Sequence, residues 1–290
     1  MSSGRLGVIG DLVQDVIVWL SGPVERGTDT AATVHRARGG SAANVAAFAA
    51  PLVPTRFVGA VGDDALGDVL VAELVAAGVD VRVQRSGHTG TVVVLVEPDG
   101  ERTMLPDRAA AANLGNVPEE WALDLDLLHV PAYCFARDPT AASTSEFVVA
   151  ATNSGARVSF DASSVSVLRD YGIQRYLDLV ARMKPAVLFA NAGEAVALRL
   201  RTARPAEGGV FVLKDGTRPT AVIESTGRTT LVPVDHVEAI SDTTGAGDAF
   251  AAGYLAALLG GADPIEAVGA AHTHARSVLT APGRQPGSRR

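Results

Sequence analysis

Asp242-Thr-Thr-Gly-Ala-Gly-Asp248-Ala-Phe250 is the stretch on which the reading of this chain turns. Residues 230–234 before it are β-branched or apolar and predict a strand; the small residues 249–259 after it predict a helix. Two glycines therefore stand where a turn opens a helix, with an acid in the first helical turn. Free backbone N–H groups at a helix start bind anions, and glycine lets a phosphate approach the backbone closely. An aspartate placed there can take a proton from a hydroxyl while the N–H groups hold charge developing on a transferred phosphoryl group. The pattern suits phosphoryl transfer to an alcohol. A glycine turn merely capped by Asp248 is the competing reading.

Outward from this stretch, strand and helix patterns alternate. Apolar runs at 127–130, 157–160, 186–190 and 209–213 predict strands, with helices near 143–152, 173–183 and 194–200 between them. Earlier, 6–10 and 56–61 predict strands, and 41–50 and 66–77 predict helices, the first opened by Ser41 at a cap position. Such alternation predicts an α/β fold with a mostly parallel sheet covered on both faces. Two pieces near 15–36 and 90–106, the second turning at Pro98-Asp-Gly100, break the alternation and predict a small β-sheet projecting from the body. With no repeat or linker visible, residues 1–290 are expected to form one domain, with a lid made from about 12–36 and 90–106.

Three further segments carry chemistry. Gly10-Asp11-Leu-Val-Gln-Asp15 follows the first predicted strand, where ligands bind in open α/β sheets. If extended, it places Asp11 and Asp15 on one face, able to accept hydrogen bonds from a polyol; a solvated turn is the plain alternative. Gly39-Gly40-Ser-Ala-Ala-Asn44 places paired glycines before a helix, with the amide of Asn44 about one turn in. Asn191-Ala-Gly-Glu194 follows another strand; its asparagine and glutamate suit magnesium held through water, and also a helix capping box. A dinucleotide fingerprint is unsupported, because the glycine motif comes late and Phe250 replaces its third glycine. No GxxxxGK[ST] occurs, so a P-loop is absent.

Composition narrows the classes. Of 290 residues 47% are hydrophobic, and the formal charge of −7 leaves no basic face for nucleic acid. Cys134 is the single cysteine, which excludes an internal disulfide and a thiolate zinc cage; its setting predicts burial at the end of a strand. The start of the sequence lacks a basic region followed by an apolar core, and 16–20 is too short to span a bilayer. A cytoplasmic protein with no membrane partner is expected.

The set Gly10-Asp11…Asp15, Gly39-Gly40…Asn44, Asn191-x-x-Glu194 and Asp242-Thr-x-Gly-Ala-Gly-Asp248 resembles the ribokinase-like (PfkB) family of carbohydrate kinases along nearly the whole chain. The resemblance implies a three-layer α/β/α sandwich with a β-sheet lid, and ATP-dependent phosphorylation of a sugar or sugar-acid hydroxyl. It implies Asp248 as catalytic base and Gly245, Ala246 and Gly247 as the anion hole. Asp11, Asp15, Gly39, Gly40 and Asn44 would hold the sugar, and Asn191 and Glu194 would position magnesium and phosphate. Lys214, Gly216, Thr243 and His272 would line the nucleotide. Asp242, the Thr244 carbonyl and Gly283 match the place where relatives hold a monovalent cation such as potassium. The lid implies a homodimer.

Departures from ribokinases proper include Val13 in place of an asparagine, Pro219 in the nucleotide loop, and 109–112 in place of a substrate-facing segment. Arg102 and Arg108 are placed to meet an acidic or phosphorylated sugar, or else are surface arginines. A nucleoside kinase of the same fold, a non-catalytic sugar-binding protein and, more distantly, a dehydrogenase are the alternatives.

Overall fold

The apolar run that opens the chain forms β1 (Leu6–Ile9), every residue of it buried. The computed structural model describes residues 4–237 and 245–280. After β1 come β2 (Val13–Leu20), β3 (Ala32–Gly39), α1 (Ser41–Ala49), β4 (Thr55–Val61), α2 (Ala65–Ala76), β5 (Asp80–Arg85), β6 (Thr89–Val96) and β7 (Arg102–Ala109). Then follow β8 (Leu127–Pro131), α3 (Thr140–Asn153), β9 (Arg157–Asp161), α4 (Val165–Tyr171), α5 (Ile173–Met183) and β10 (Val187–Asn191). The last are α6 (Ala192–Ala197), β11 (Val210–Asp215), β12 (Arg218–Glu224), β13 (Thr229–Val232), α7 (Ala246–Leu259) and α8 (Pro264–Leu279).

Nine strands form the main sheet in the order β13-β12-β11-β10-β9-β8-β1-β4-β5. The seven from β11 to β5 run parallel, and β12 and β13 return antiparallel at one edge. Successive side chains point to opposite faces of a strand, so each strand feeds two cores. Phe57 and Phe189 pack with α1, α2, α7 and α8, while their neighbours Val58 and Leu188 pack with α3 to α6. Strands buried on both faces need continuous apolar runs, which is why β4 and β10 were legible without alternation.

The chain leaves this sheet twice, after β1 and after β5, to build a second sheet in the order β3-β2-β6-β7. β2 pairs in parallel with β6, and each has an antiparallel hairpin partner outside it. Gly100 closes the second hairpin at φ +89, a conformation that suits glycine.

Two local expectations are corrected. Gly40, not Ser41, is the N-cap of α1 and provides no side-chain cap; the Ser41 hydroxyl is engaged elsewhere. Cys134 lies in a 3-10 turn beyond β8 rather than at the strand's end, buried with Sγ 3.4 Å from the Ile9 carbonyl, and burial pushes its thiol up to about 12. Among the described residues no helix is long and apolar enough to cross a membrane.

Candidate active site

The carboxyl ends of β1, β8, β9, β10 and β11 open into one cavity of about 1630 Å³, roofed by the small sheet. Asp11, two residues past the end of β1, is buried and forms an ion pair with Arg108. Arg108 arrives from the end of β7, and its guanidinium also lies over the Tyr133 ring, 4.3 Å from the centroid. Asp15 in β2 lines the same cavity.

The glycine pair explains how the acids come so close to α1. A Cβ at Gly39 would collide with the Asp15 carboxylate, and one at Gly40 with the Asp11 carbonyl. Gly40 further adopts φ +96, which side chains disfavour.

Asp248 sits in the first turn of α7, whose N-cap Gly245 has φ +79. The Ser41 hydroxyl donates to Asp248 Oδ1 at 2.7 Å, and Asn44 Nδ2 donates to Oδ2 at 3.0 Å. Burial raises the Asp248 carboxyl to about 6, with the charge of Asp161 adding to it. The two hydrogen bonds and Lys214 pull the other way. The result is a fixed carboxylate with a basicity suited to proton transfer near neutral pH. Ala246 and Gly247 line the cavity beside it, at the end of the helix where N–H groups are unpaired.

Asn191 and Glu194 form a full capping box at the start of α6. The Asn191 N–H donates to Glu194 Oε2 at 2.7 Å, Asn191 Nδ2 to Oε1 at 2.6 Å, and the Glu194 N–H to Asn191 Oδ1 at 3.0 Å. Burial, then Asp161, lifts the Glu194 carboxyl to about 7. The box and the cavity share these residues, so both readings of the motif stand together. Lys214, at the end of β11, donates to Asp161 Oδ2 at 3.0 Å.

On the far side of the cavity His272 bonds Thr220 Oγ1 at 2.9 Å and tilts against Phe250 at 5.5 Å. Burial lowers its pKa. Gly216 at the β11–β12 turn and Arg276 on α8 line this end. Arg102 lines the cavity beneath the small sheet, as does Arg137. Asp242, Thr243, Thr244 and Gly283 lie outside the described residues. Among the described residues no group of three His, Cys, Asp or Glu side chains is placed to hold a metal ion. A divalent ion at Asn191 and Glu194 would therefore bring most of its ligands as water and phosphate oxygens, the ordinary habit of magnesium.

Ser41, Tyr133 and Asp161 were missed by the sequence reading. Asp161 had a signal: an acid at the carboxyl end of a strand in a parallel sheet. Ser41 was read only as a cap. Its partner is 207 residues away, a separation no local pattern reveals.

A model of the pfkB family of carbohydrate kinases matches residues 5–289. The chain is 36% identical over 258 residues to an ATP-dependent ribose-1-phosphate kinase of Halopiger xanaduensis, covering 85% of this chain and 81% of that protein. It is 29% identical over 280 residues to a fructokinase of Klebsiella pneumoniae, covering 88% and 85%. The solved adenosine kinase of Sinorhizobium meliloti superposes with a TM-score of 0.85 at 22% identity, covering 99% of this chain and 97% of that one. The nucleoside kinase of Methanocaldococcus jannaschii, an archaeal member of the ribokinase family, gives 0.77 at 20% identity, covering 97% and 93%. At those identities the superpositions show a shared fold.

Proposed function

Because this chain belongs to the pfkB family of carbohydrate kinases, and so is an ATP-dependent sugar kinase, we propose that its acceptor is a pentose bearing an anionic group, of the ribose 1-phosphate class. The observation that carries this is Arg108. It reaches the floor of the cavity, pairs with Asp11 and lies over Tyr133. A guanidinium so placed can take a phosphate in two hydrogen bonds while Asp11 is freed to accept from sugar hydroxyls. The 36%-identical relative supports the same class.

In this reading Asp248 takes the proton of the acceptor hydroxyl, whose oxygen attacks the γ-phosphorus of ATP. The bond from that phosphorus to the bridging oxygen breaks and ADP leaves with the electron pair. The N–H groups of Gly245, Ala246 and Gly247 hold the charge on the moving phosphoryl oxygens, and Asp11, Asp15, Gly40 and Asn44 hold the sugar. The nucleotide lies between Gly216 and His272. Magnesium, through water on Glu194, would offset phosphate charge; a potassium-like ion near Asp242, Thr244 and Gly283 belongs to the same proposal. The small sheet acts as the lid of a single domain, and the enzyme works in the cytoplasm, where ATP is supplied.

A second copy of the chain is proposed to cover the outer face of the lid. Val16, Val18, Val34, Val93, Leu95 and Leu105 fall on one face by register, opposite the residues that line the cavity. Arg36 shares that face opposite Val16, and a largely apolar patch of this kind on a four-stranded sheet is the usual mark of an association surface.

One observation favours a different acceptor. The cavity side of the lid carries Ile17, Trp19, Val92, Val94 and Met104, an apolar ceiling suited to a nucleoside base. The deciding experiment is ATP turnover with magnesium and potassium against ribose 1-phosphate, ribose, fructose, 2-keto-3-deoxygluconate and nucleosides. Turnover of ribose 1-phosphate that falls about a hundredfold in kcat/KM in Arg108→Gln supports the anionic pentose, since a charged hydrogen-bond partner is lost. Turnover of nucleosides alone, indifferent to that change, replaces it with the second reading.

A further inference from the structure

Lys214 is one of two lysines in a chain whose other 23 basic residues are arginines, and it stands in the middle of the site. Its ammonium has three N–H bonds. Among the described residues one goes to Asp161 at 3.0 Å, and the side chain keeps 18% exposure toward the cavity. Nζ lies 3.7 Å from where a Cβ on Gly247 would sit, beside the first turn of α7. The rings of Phe189 and Phe250, themselves 6.3 Å apart, lie together on one side of it, 5.7 and 6.0 Å from Nζ. An anion seated on the N–H groups that open α7 would thus meet this ammonium, backed by an aromatic wall that weakens competition from water.

We propose that Lys214 is a catalytic residue of the phosphoryl transfer, donating to the oxygens of the migrating phosphoryl group, and that Asp161 is the residue that positions it. The proposal rests on the kinase reading above and adds a group to it. No proton leaves Lys214 in the step: Asp248 takes the hydroxyl proton, the oxygen–phosphorus bond forms, the bond to the ADP oxygen breaks, and the ammonium stays charged throughout. Asp161, Glu194 and Asp248 surround it with negative charge and outweigh the burial that disfavours its cation. The residue type fits the task. A compact ammonium can follow a moving oxygen beside the two aromatic rings, whereas a planar guanidinium fork is held to one geometry.

The test measures kcat, KM and ATP dissociation for Lys214→Met, Lys214→Arg, Asp161→Asn and the Lys214→Met/Asp161→Asn pair, with thermal midpoints as a folding check. Expected is a loss of about 10²–10³ in kcat for Lys214→Met, the scale for removing one donor to transition-state charge, with ATP dissociation changed less than about tenfold. Lys214→Arg should recover little of it. Asp161→Asn should lower kcat about tenfold when Lys214 is present and not at all when it is methionine, a coupling that a merely structural role does not produce. The paired variant removes both charges and so answers the question if Lys214→Met alone leaves Asp161 stranded and unfolds. A kcat within threefold of the unsubstituted enzyme in both Lys214→Met and the paired variant overturns the proposal and leaves the kinase reading intact. An unchanged kcat with a large rise in KM for ATP also overturns it, making Lys214 a ground-state ligand. If the unsubstituted enzyme phosphorylates no acceptor, the kinase reading fails and this proposal with it.

Discussion

Asp248 receives hydrogen bonds from Ser41 and Asn44, and both favour its ionised form against the burial that raises its carboxyl to about 6. A base works only when deprotonated, so kcat/KM should be level above about 6 and fall about tenfold per pH unit below it. Ser41→Ala removes one of the two bonds that hold the carboxylate. A hydrogen bond to a charged group is worth about 1.5–3 kcal/mol, so the acid limb of the profile should move upward by about one pH unit. A profile unmoved by Ser41→Ala would show that Asp248 does not set the acid limb. Asp248→Asn should cut turnover by about 10²–10⁴ while acceptor binding, followed by calorimetry, stays within a few-fold. Asp248 and Asn44 were legible because each stands at a fixed offset from glycines. Ser41 and Asp161 were not, because their roles are made by partners 207 and 53 residues away.

At the scale of elements, the junctions between the two sheets are where local chemistry is strictest. Asp64 caps α2 through the Gly67 N–H at 2.8 Å, and also accepts from the Thr89 hydroxyl at 2.6 Å and the Thr89 N–H at 2.8 Å, where β6 enters the small sheet. The Thr89 hydroxyl, then the two N–H groups, hold its carboxyl below the ordinary carboxylate range. A depressed carboxyl stabilises above its unfolded pKa and loses that contribution only as strong acid protonates it, so the junction should be insensitive to pH near neutrality. Asp64→Ala removes a cap and two further bonds and should lower stability by about 2–3 kcal/mol in urea titration. Gly40→Ala should be worse for function than for folding. Its Cβ meets the Asp11 carbonyl at a φ of +96, so α1 must shift away from β1 and carry Asn44 off Asp248. Loss of turnover of at least about tenfold, with a cooperative melt retained, is the expected result. Elements with long apolar runs, such as β4 and β10, were read at their right places. β5, β12 and α4 were not: the two valines of β5 do carry a period of two but make a short signal, β12 holds only the short apolar run 221–223, and α4 is barely two turns long.

For the whole molecule the open question is what covers the small sheet. Its cavity face is turned inward, yet Val34 and Leu105 on the other face are 52% and 53% exposed, and Val16, Val18, Val93 and Leu95 lie between them in register. The edge strands β3 and β7 also present unpaired backbone, the feature that makes a small exposed sheet prone to pair with another. Face-to-face packing of two such sheets would bury both apolar faces together and is the proposed dimer. Light scattering at micromolar concentration should then give a mass twice the 29.8 kDa of the chain. Val34→Glu with Leu105→Glu places four carboxylates in the buried contact, more than the Arg36 that shares this face on each copy can offset, and should shift the mass to that of one chain. Because neither residue lines the cavity, the doubly substituted enzyme should keep its melt and its affinity for ATP. Its lid, no longer braced by a partner, should raise KM for the acceptor by several-fold, since ordering the lid then falls to the substrate alone. A mass of one chain for the unsubstituted protein at that concentration ends the dimer proposal. A dimer indifferent to both glutamates places the interface elsewhere.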